Sequence, residues 1–191
     1  MRHSPFTAVY DACVLYPAPL RDFLIWLGLS GRFRARWSAQ IHDEWKRNLL
    51  LNRRDLVPEQ LDRTSALMDR AIPDGLVTGH ETLISGLNLP DLDDRHVLAA
   101  ALRSSASVIV TFNQKDFPAA ALAPFGIEAQ HPDEFIENLF DLDQAAVVSA
   151  AQRQRAQLKN PTMDVTRYLD VLLRQGLVQT VKALSTYQAI L

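Results

Sequence analysis

Three carboxylates occupy four positions in PDLDDRH, residues 90–96, where Asp91, Asp93 and Asp94 stand ahead of the uncharged run VLAAAL. Two more acids close apolar runs: Asp11 in TAVYDACVLY, and Asp116 just past SVIVTF. Glu44 lies within AQIHDEWKRNLL. Oxygen donors of this kind suit a hard divalent cation, Mg²⁺ or Mn²⁺. Such an ion, held by few carboxylates, keeps water that can serve hydrolysis of a phosphodiester. Acids ahead of a helix also cap free N–H groups and face the positive end of its dipole. The question is which acid does which.

Helical phase separates them. With residues about 100° apart around the axis, Val97, Leu98, Ala101 and Leu102 all fall within about 80° of Asp94. The packing face of that helix therefore begins with a carboxylate, and an unpaired inward carboxylate is costly unless a cation joins it. Asp93 lies about 100° off the face and His96 nearly opposite. Asp91 is placed as N-cap, with Asp94 three residues on as in a capping box. Glu44 shares its helix face with Ile41, Asn48 and Leu51, within about 60°. By the same measure His42 falls off the inward face.

The elements that must hold these acids alternate. TAVYDACVLY, FRARWS, GLVTG, ASVIVTF and GIEAQ read as short strands. Between them lie helical segments: PLRDFLIWLGLSG, stopped by Gly31; AQIHDEWKRNLLLNRR, capped by Ser38; PEQLDRTSALMDRAI; DDRHVLAAALRSS; and HPDEFIENLF. Strands that are short apolar runs rather than alternating ones, set between helices, predict an α/β fold with a central parallel sheet covered on both faces. Ligands of such sheets bind beyond the carboxyl ends of the strands, where Asp11 and Asp116 fall. From about residue 141 the pattern is helical only: DQAAVVSAAQRQRAQL, a break at KNP (159–161), DVTRYLDVLLRQ closed by Gly176, and LVQTVKALSTYQAI. Two regions are expected, 1–140 and a helical extension over 141–191.

The chain has 191 residues, 48% hydrophobic and 22% charged, with a formal charge of −2. Such a composition suits one globular domain with an appendage. One cysteine, Cys13, excludes a disulfide framework and a cysteine-based zinc site. It reads as a small core residue with no paired base. Trp26, Trp37 and Trp45 likewise read as core. The N-terminus does not read as a signal peptide and no apolar window spans a bilayer, so a cytoplasmic protein is expected. Arg32, Arg34, Arg36, Lys46, Arg47, Arg53 and Arg54 crowd one segment. In a strand, Arg32, Arg34 and Arg36 project to one side, and Arg47 lies about 60° from Glu44. These four are candidates to guide a phosphate backbone toward the acids, with Lys46 weaker because it faces away.

Three pieces, VYDACVLYP, IHDEWKRNL and PDLDDRHVLAAALRSSASVIVTFNQKDFP, carry a resemblance. Over residues 6–140 the chain resembles a PIN-domain ribonuclease, in particular the longer VapC-like toxins of toxin–antitoxin pairs. Its tail, LKNPTMDVTRYLDVLLRQGL, is similar to their helical extension. The resemblance implies a three-layer fold and a metal-dependent endoribonuclease that leaves 5′-phosphate and 3′-hydroxyl ends. It also implies a small antitoxin partner. The tail helices are expected to pack on the catalytic domain with a role in dimerisation or substrate choice, and a homodimer is expected. Asp11, Glu44 and Asp94 match three of the family's metal-site acids. Many members read T-x-D after the strand-ending threonine, but here that position is Asn113. The fourth acid is then Asp116 from a reshaped loop, or absent; Asn113 and Asp91 are accessory candidates. Two rivals stand beside this reading: a PIN-fold binding module with a degraded site, motivated by Asn113, and a haloacid-dehalogenase-like hydrolase using Asp11 as nucleophile.

Overall fold

A computed structural model describes residues 6–159 and 161–191. The start of the N-terminal segment, residues 1–5, and Asn160 of the KNP break lie outside the described residues. The chain runs β1 (Phe6–Tyr10), α1 (Ala12–Leu15), α2 (Ala18–Gly28), β2 (Phe33–Ser38), α3 (Ala39–Asn52), α4 (Pro58–Ala71) and β3 (Leu76–Val77). It continues through α5 (Glu81–Ile84), α6 (Arg95–Arg103), β4 (Val108–Val110), α7 (Ala119–Leu122), β5 (Glu128–Gln130) and α8 (Pro132–Leu142). The tail adds α9 (Gln144–Gln157), α10 (Val165–Arg174) and α11 (Val178–Ser185).

All five strands are parallel, in the order β3-β2-β1-β4-β5. The chain leaves β1 toward β2 and β3 on one side, then returns to lay β4 on the other. The gap between β1 and β4 is therefore the topological switch point, where open parallel sheets form their crevice. Phe6, Tyr10 and Phe33 meet Phe135 of α8 in an aromatic cluster. The Tyr10 hydroxyl donates to the Leu24 carbonyl of α2 at 3.0 Å. Helix α6 packs on β1, β2 and β4. The result is a three-layer α/β fold. Among the described residues, no helix is long and apolar enough to cross a membrane.

The tail is part of this core. Val147, Val148, Ala150 and Ala151 of α9, Tyr168, Leu169 and Leu172 of α10, and Leu184 of α11 are buried in the same apolar cluster as the sheet. The Gln154 amide donates to the Pro19 carbonyl at 2.8 Å and accepts from the Tyr168 hydroxyl at 2.8 Å. An appendage starting at residue 141 would begin inside α8, which runs to Leu142. Near the start of α8, the buried Asp133 carboxylate accepts from the backbone N–H of Gln179 and Thr180 and from the Thr180 hydroxyl. It thereby caps α11 from a distant helix. Asp133→Ala is expected to destabilise the protein by about 2–4 kcal/mol, measured by urea unfolding, with cation binding unchanged.

Candidate metal centre

Register brings the first acid to its neighbours. Tyr10 pairs with Val110, so Asp11 and Thr111 step off adjacent strand ends together. The Asp11 N–H donates to the Val110 carbonyl at 3.1 Å, and the Thr111 hydroxyl donates to Asp11 Oδ2 at 2.7 Å. The Cys13 thiol donates to the same oxygen at 3.0 Å, and its sulfur accepts from the Phe112 N–H at 3.2 Å. Asp11 is thus buried, 3% exposed, yet held by donors. Burial, with a lesser contribution from Glu44, still raises its pKa above the ordinary carboxylate range. Neither Thr111 nor this use of Cys13 was foreseen. Cys13 is half-buried and bonded to a site carboxylate, and burial followed by the nearby Asp11 charge pushes its thiol up, so it is a poor nucleophile. The available signal was spacing: Cys13 lies two residues past Asp11, in the first turn of α1, and Thr111 directly follows β4.

Asp94 differs from Asp11 in having no support. Helix α6 begins at Arg95, later than expected, with Asp94 in the N-cap position but making no capping bond. The expected capping box is absent: Asp91 Oδ1 instead accepts from the Asp93 N–H at 2.9 Å, closing a turn before the helix. A short polar side chain bonding two residues ahead competes with helix, which delays the start. Asp94 is half-buried. Its pKa is pushed up to about 7, first by burial and then by the charges of Asp11, Asp91, Glu44 and Asp116. Asp11, Asp91, Glu44 and Asp116 thus all lie near enough for their charge to be felt by Asp94. Among the described residues, no lysine or arginine forms an ion pair with Asp11, Asp94 or Asp116.

Glu44 reaches the site from the edge of a buried stripe. On α3 the buried residues are Ile41, His42, Trp45 and Leu49, while Leu51, expected inward, is 73% exposed. His42 is therefore a core residue: its Nε2 meets Asp69 Oδ1 at 3.1 Å and its Nδ1 accepts from Trp45 Nε1 at 3.0 Å. His96, expected to face away from the core, is also buried, and its Nε2 lies 3.1 Å from Glu44 Oε2. Helix α6 is covered by the sheet and by α3 and α5, so His96 through Ala101 are all buried. The uncharged VLAAAL was the missed signal, because a helix apolar all round is buried all round.

The loop after β4 carries Asn113 and then a 3₁₀ turn, Gln114–Asp116. The Asn113 N–H donates to Thr111 Oγ1 at 2.9 Å, while its side chain is exposed and makes no hydrogen bond among the described residues. Asp116 enters the cluster through its charge on Asp94. Trp37 and Trp45 are fully buried and Trp26 partly so.

The arginines divide. Thr7 pairs with Arg34, so Arg34 and Arg32 lie toward the amino end of the sheet, away from Asp11. Arg32 bonds Asp143 at 2.5 Å, and Arg36 donates to the Asp74 carbonyl. Alternation fixes the side a strand residue faces, but only register fixes which end it occupies. Arg47 alone of the four is on α3 beside Glu44, exposed and without an ion-pair partner among the described residues. Lys46 is engaged by Asp62 and Asp43.

The donor set fits a hard cation: oxygen ligands only, with a surplus of negative charge. Among the described residues, no three histidine, cysteine, aspartate or glutamate side chains are gathered closely enough to enclose an ion as they stand. Mutually repelling carboxylates meet this way through their fields rather than in contact. Mg²⁺ tolerates that spacing, since it bonds one or two carboxylates and keeps its remaining waters.

The PIN-domain pattern matches residues 7–115, and the VapC50 C-terminal domain pattern matches residues 132–186. A Mycobacterium tuberculosis protein named "Putative ribonuclease VapC50" is 49% identical over 78 residues, which cover 39% of this chain and 46% of that protein. The chain thus matches less than half the length of that relative. No solved structure matches the chain. With the sheet order, the acids at its switch point and a pattern match over more than half of its length, the chain belongs to the PIN-domain family.

Proposed function

We propose that the protein is a Mg²⁺- or Mn²⁺-dependent endoribonuclease and the toxin of a type II toxin–antitoxin pair. One observation carries this reading: a half-buried Asp94 without a side-chain capping bond, raised by burial and by the charges of four other acids, which a cation relieves without a proton. Asp11, Glu44 and Asp94 hold the ion. Asp116 adds charge from the loop, and Asn113 and Asp91 stand by as accessories. When bound, the ion offsets phosphate charge and supplies an activated water. Asp11 is pre-set by Thr111 and Cys13, so its carboxylate needs no rearrangement to serve. Arg47 guides the RNA backbone, and the cleft is the surface an antitoxin must cover. RNA as substrate fits a cytoplasmic location, and a homodimer remains part of the proposal.

The test uses purified protein freed of any copurifying partner, incubated with total RNA. Cleavage in Mn²⁺, its loss in EDTA, and 5′-phosphate ends on the products are expected. Intact RNA under those conditions, with Mn²⁺ bound, would overturn the enzyme. Arg47→Ala is expected to weaken RNA binding and to reduce the slope of log affinity against log salt by about 1. Arg32→Ala should leave both unchanged.

A second reading, a binding module on a degraded site, draws on Asn113 replacing the loop acid. Calorimetry separates the two, because a module shows no Mn²⁺ binding at millimolar metal. The dehalogenase-like alternative is not retained, because among the described residues no lysine pairs with Asp11.

A further inference from the structure

Glu44 is the one acid of the cluster whose carboxylate is gripped by a ring. His96 is 8% exposed, and its Nε2 lies 3.1 Å from Glu44 Oε2. A carboxylate accepts, so Nε2 donates in this bond, and Nδ1 is left buried. That nitrogen has no partner among the described residues. A residue selected only to join α6 to α3 gains nothing from a buried orphan nitrogen, which costs stability. One turn earlier on α3, Gln40 makes the matching contact: its Oε1 lies 3.1 Å from His80 Nε2, while His80 Nδ1 makes no hydrogen bond and lies 3.7 Å from Glu81 Oε1. The two histidines thus fasten α5 and α6 to successive turns of α3. His80 meets a neutral amide, whereas His96 meets a member of the acid cluster.

We infer that His96 is a positioning residue: its Nε2–H holds Glu44 Oε2 so that Oε1, which has no hydrogen bond among the described residues, stays available to a cation. The inference rests on Asp11, Glu44 and Asp94 being the cation-binding set. Its physical content is conformational. Glutamate is long and flexible, and Asp11 and Asp94 repel Glu44 toward solvent. A fixed donor behind the carboxylate opposes that motion, so the ordering cost is met in folding and not in metal binding. The assignment adds a residue to the centre without making it a ligand, since His96 touches Glu44 and not the ion.

Mn²⁺ affinity, measured by calorimetry on the full chain at one pH, reads the effect directly. His96→Leu is expected to weaken binding by about 10–100-fold, the usual cost of losing such a supporting bond. His96→Gln, whose amide N–H can reach the same carboxylate, is expected to recover most of that loss. Thermal unfolding of both variants without metal is recorded alongside. Wild-type Mn²⁺ affinity in His96→Leu overturns the inference, as does an equal loss in His96→Gln when that variant is as stable as wild type. Asp94→Asn is titrated in parallel. Undiminished Mn²⁺ binding there would instead overturn the cation-site reading, so the two failures are told apart.

Discussion

Asp94→Asn is expected to lower RNA cleavage by about 10³-fold or more while making the metal-free protein more stable at neutral pH. The two effects have one cause. Asp94 is charged only at the expense of its burial and of repulsion from Asp11, Asp91, Glu44 and Asp116, and it makes no hydrogen bond that asparagine would lose. Taken at face value, a shift from 3.8 to about 7 corresponds to roughly 4 kcal/mol. Asp94 is half in solvent, and screening reduces that to about 1–2 kcal/mol. Asparagine keeps the size and removes the charge, so the melting temperature should rise by about 2–8 °C. The loss of activity follows from the proposed cation site, in which Asp94 is a ligand, because metal stabilisation of a reacting phosphate contributes several kcal/mol. Thermal unfolding in EDTA and cleavage in Mn²⁺ check both halves. An Asp94→Asn variant that cuts RNA at wild-type rate, or that melts below wild type, contradicts the argument.

Mn²⁺ affinity is expected to climb with pH through about 7, by about tenfold or more between pH 5.5 and pH 8. Asp94 holds its proton more tightly folded than unfolded. Its contribution to metal-free stability is therefore fully present below about pH 4, the unfolded value, and is lost as pH rises through about 7. A cation needs the deprotonated form, so the proton competes with it on the acid side. Added Mn²⁺ should then raise the melting temperature strongly at pH 8 and weakly at pH 5.5, because the stabilisation follows the ratio of ion concentration to dissociation constant. Asp94→Asn should flatten this dependence. An affinity that does not change between these pH values would remove Asp94 from the ion's direct partners.

Much of this was legible in the chain. The strand FRARWS and the Ser38 cap fall where apolar spacing and capping chemistry put them, with Ser38 Oγ accepting from the Ile41 N–H at 3.2 Å. Pro58 opens α4, and the three tail helices appear in order. Asp11 ends its strand as expected, and its charge, with those of Glu44 and Asp116, is felt by Asp94. What the chain did not disclose depends on neighbours from elsewhere in the sequence. A helical wheel places residues about one axis and assumes a single packed side. His96 and His42 defeat that assumption, since their helices are covered from more than one direction. The strand arginines needed the pairing of Thr7 with Arg34 before their distance from Asp11 could be known. Thr111 became part of the site only through the pairing of Tyr10 with Val110.

The bond from Gln154 to the Pro19 carbonyl also has a bearing on the order of synthesis. Helix α2 is among the first elements made, yet α9 and α10 cover it and both are made late. A growing chain therefore carries an apolar helix face that waits for the last third of the protein. Contacts so distant in sequence form slowly, and the uncovered face is open to self-association meanwhile. All four candidate acids emerge before α9 and α10. A chain interrupted before residue 144 would contain all four candidate acids while lacking the helices that cover α2.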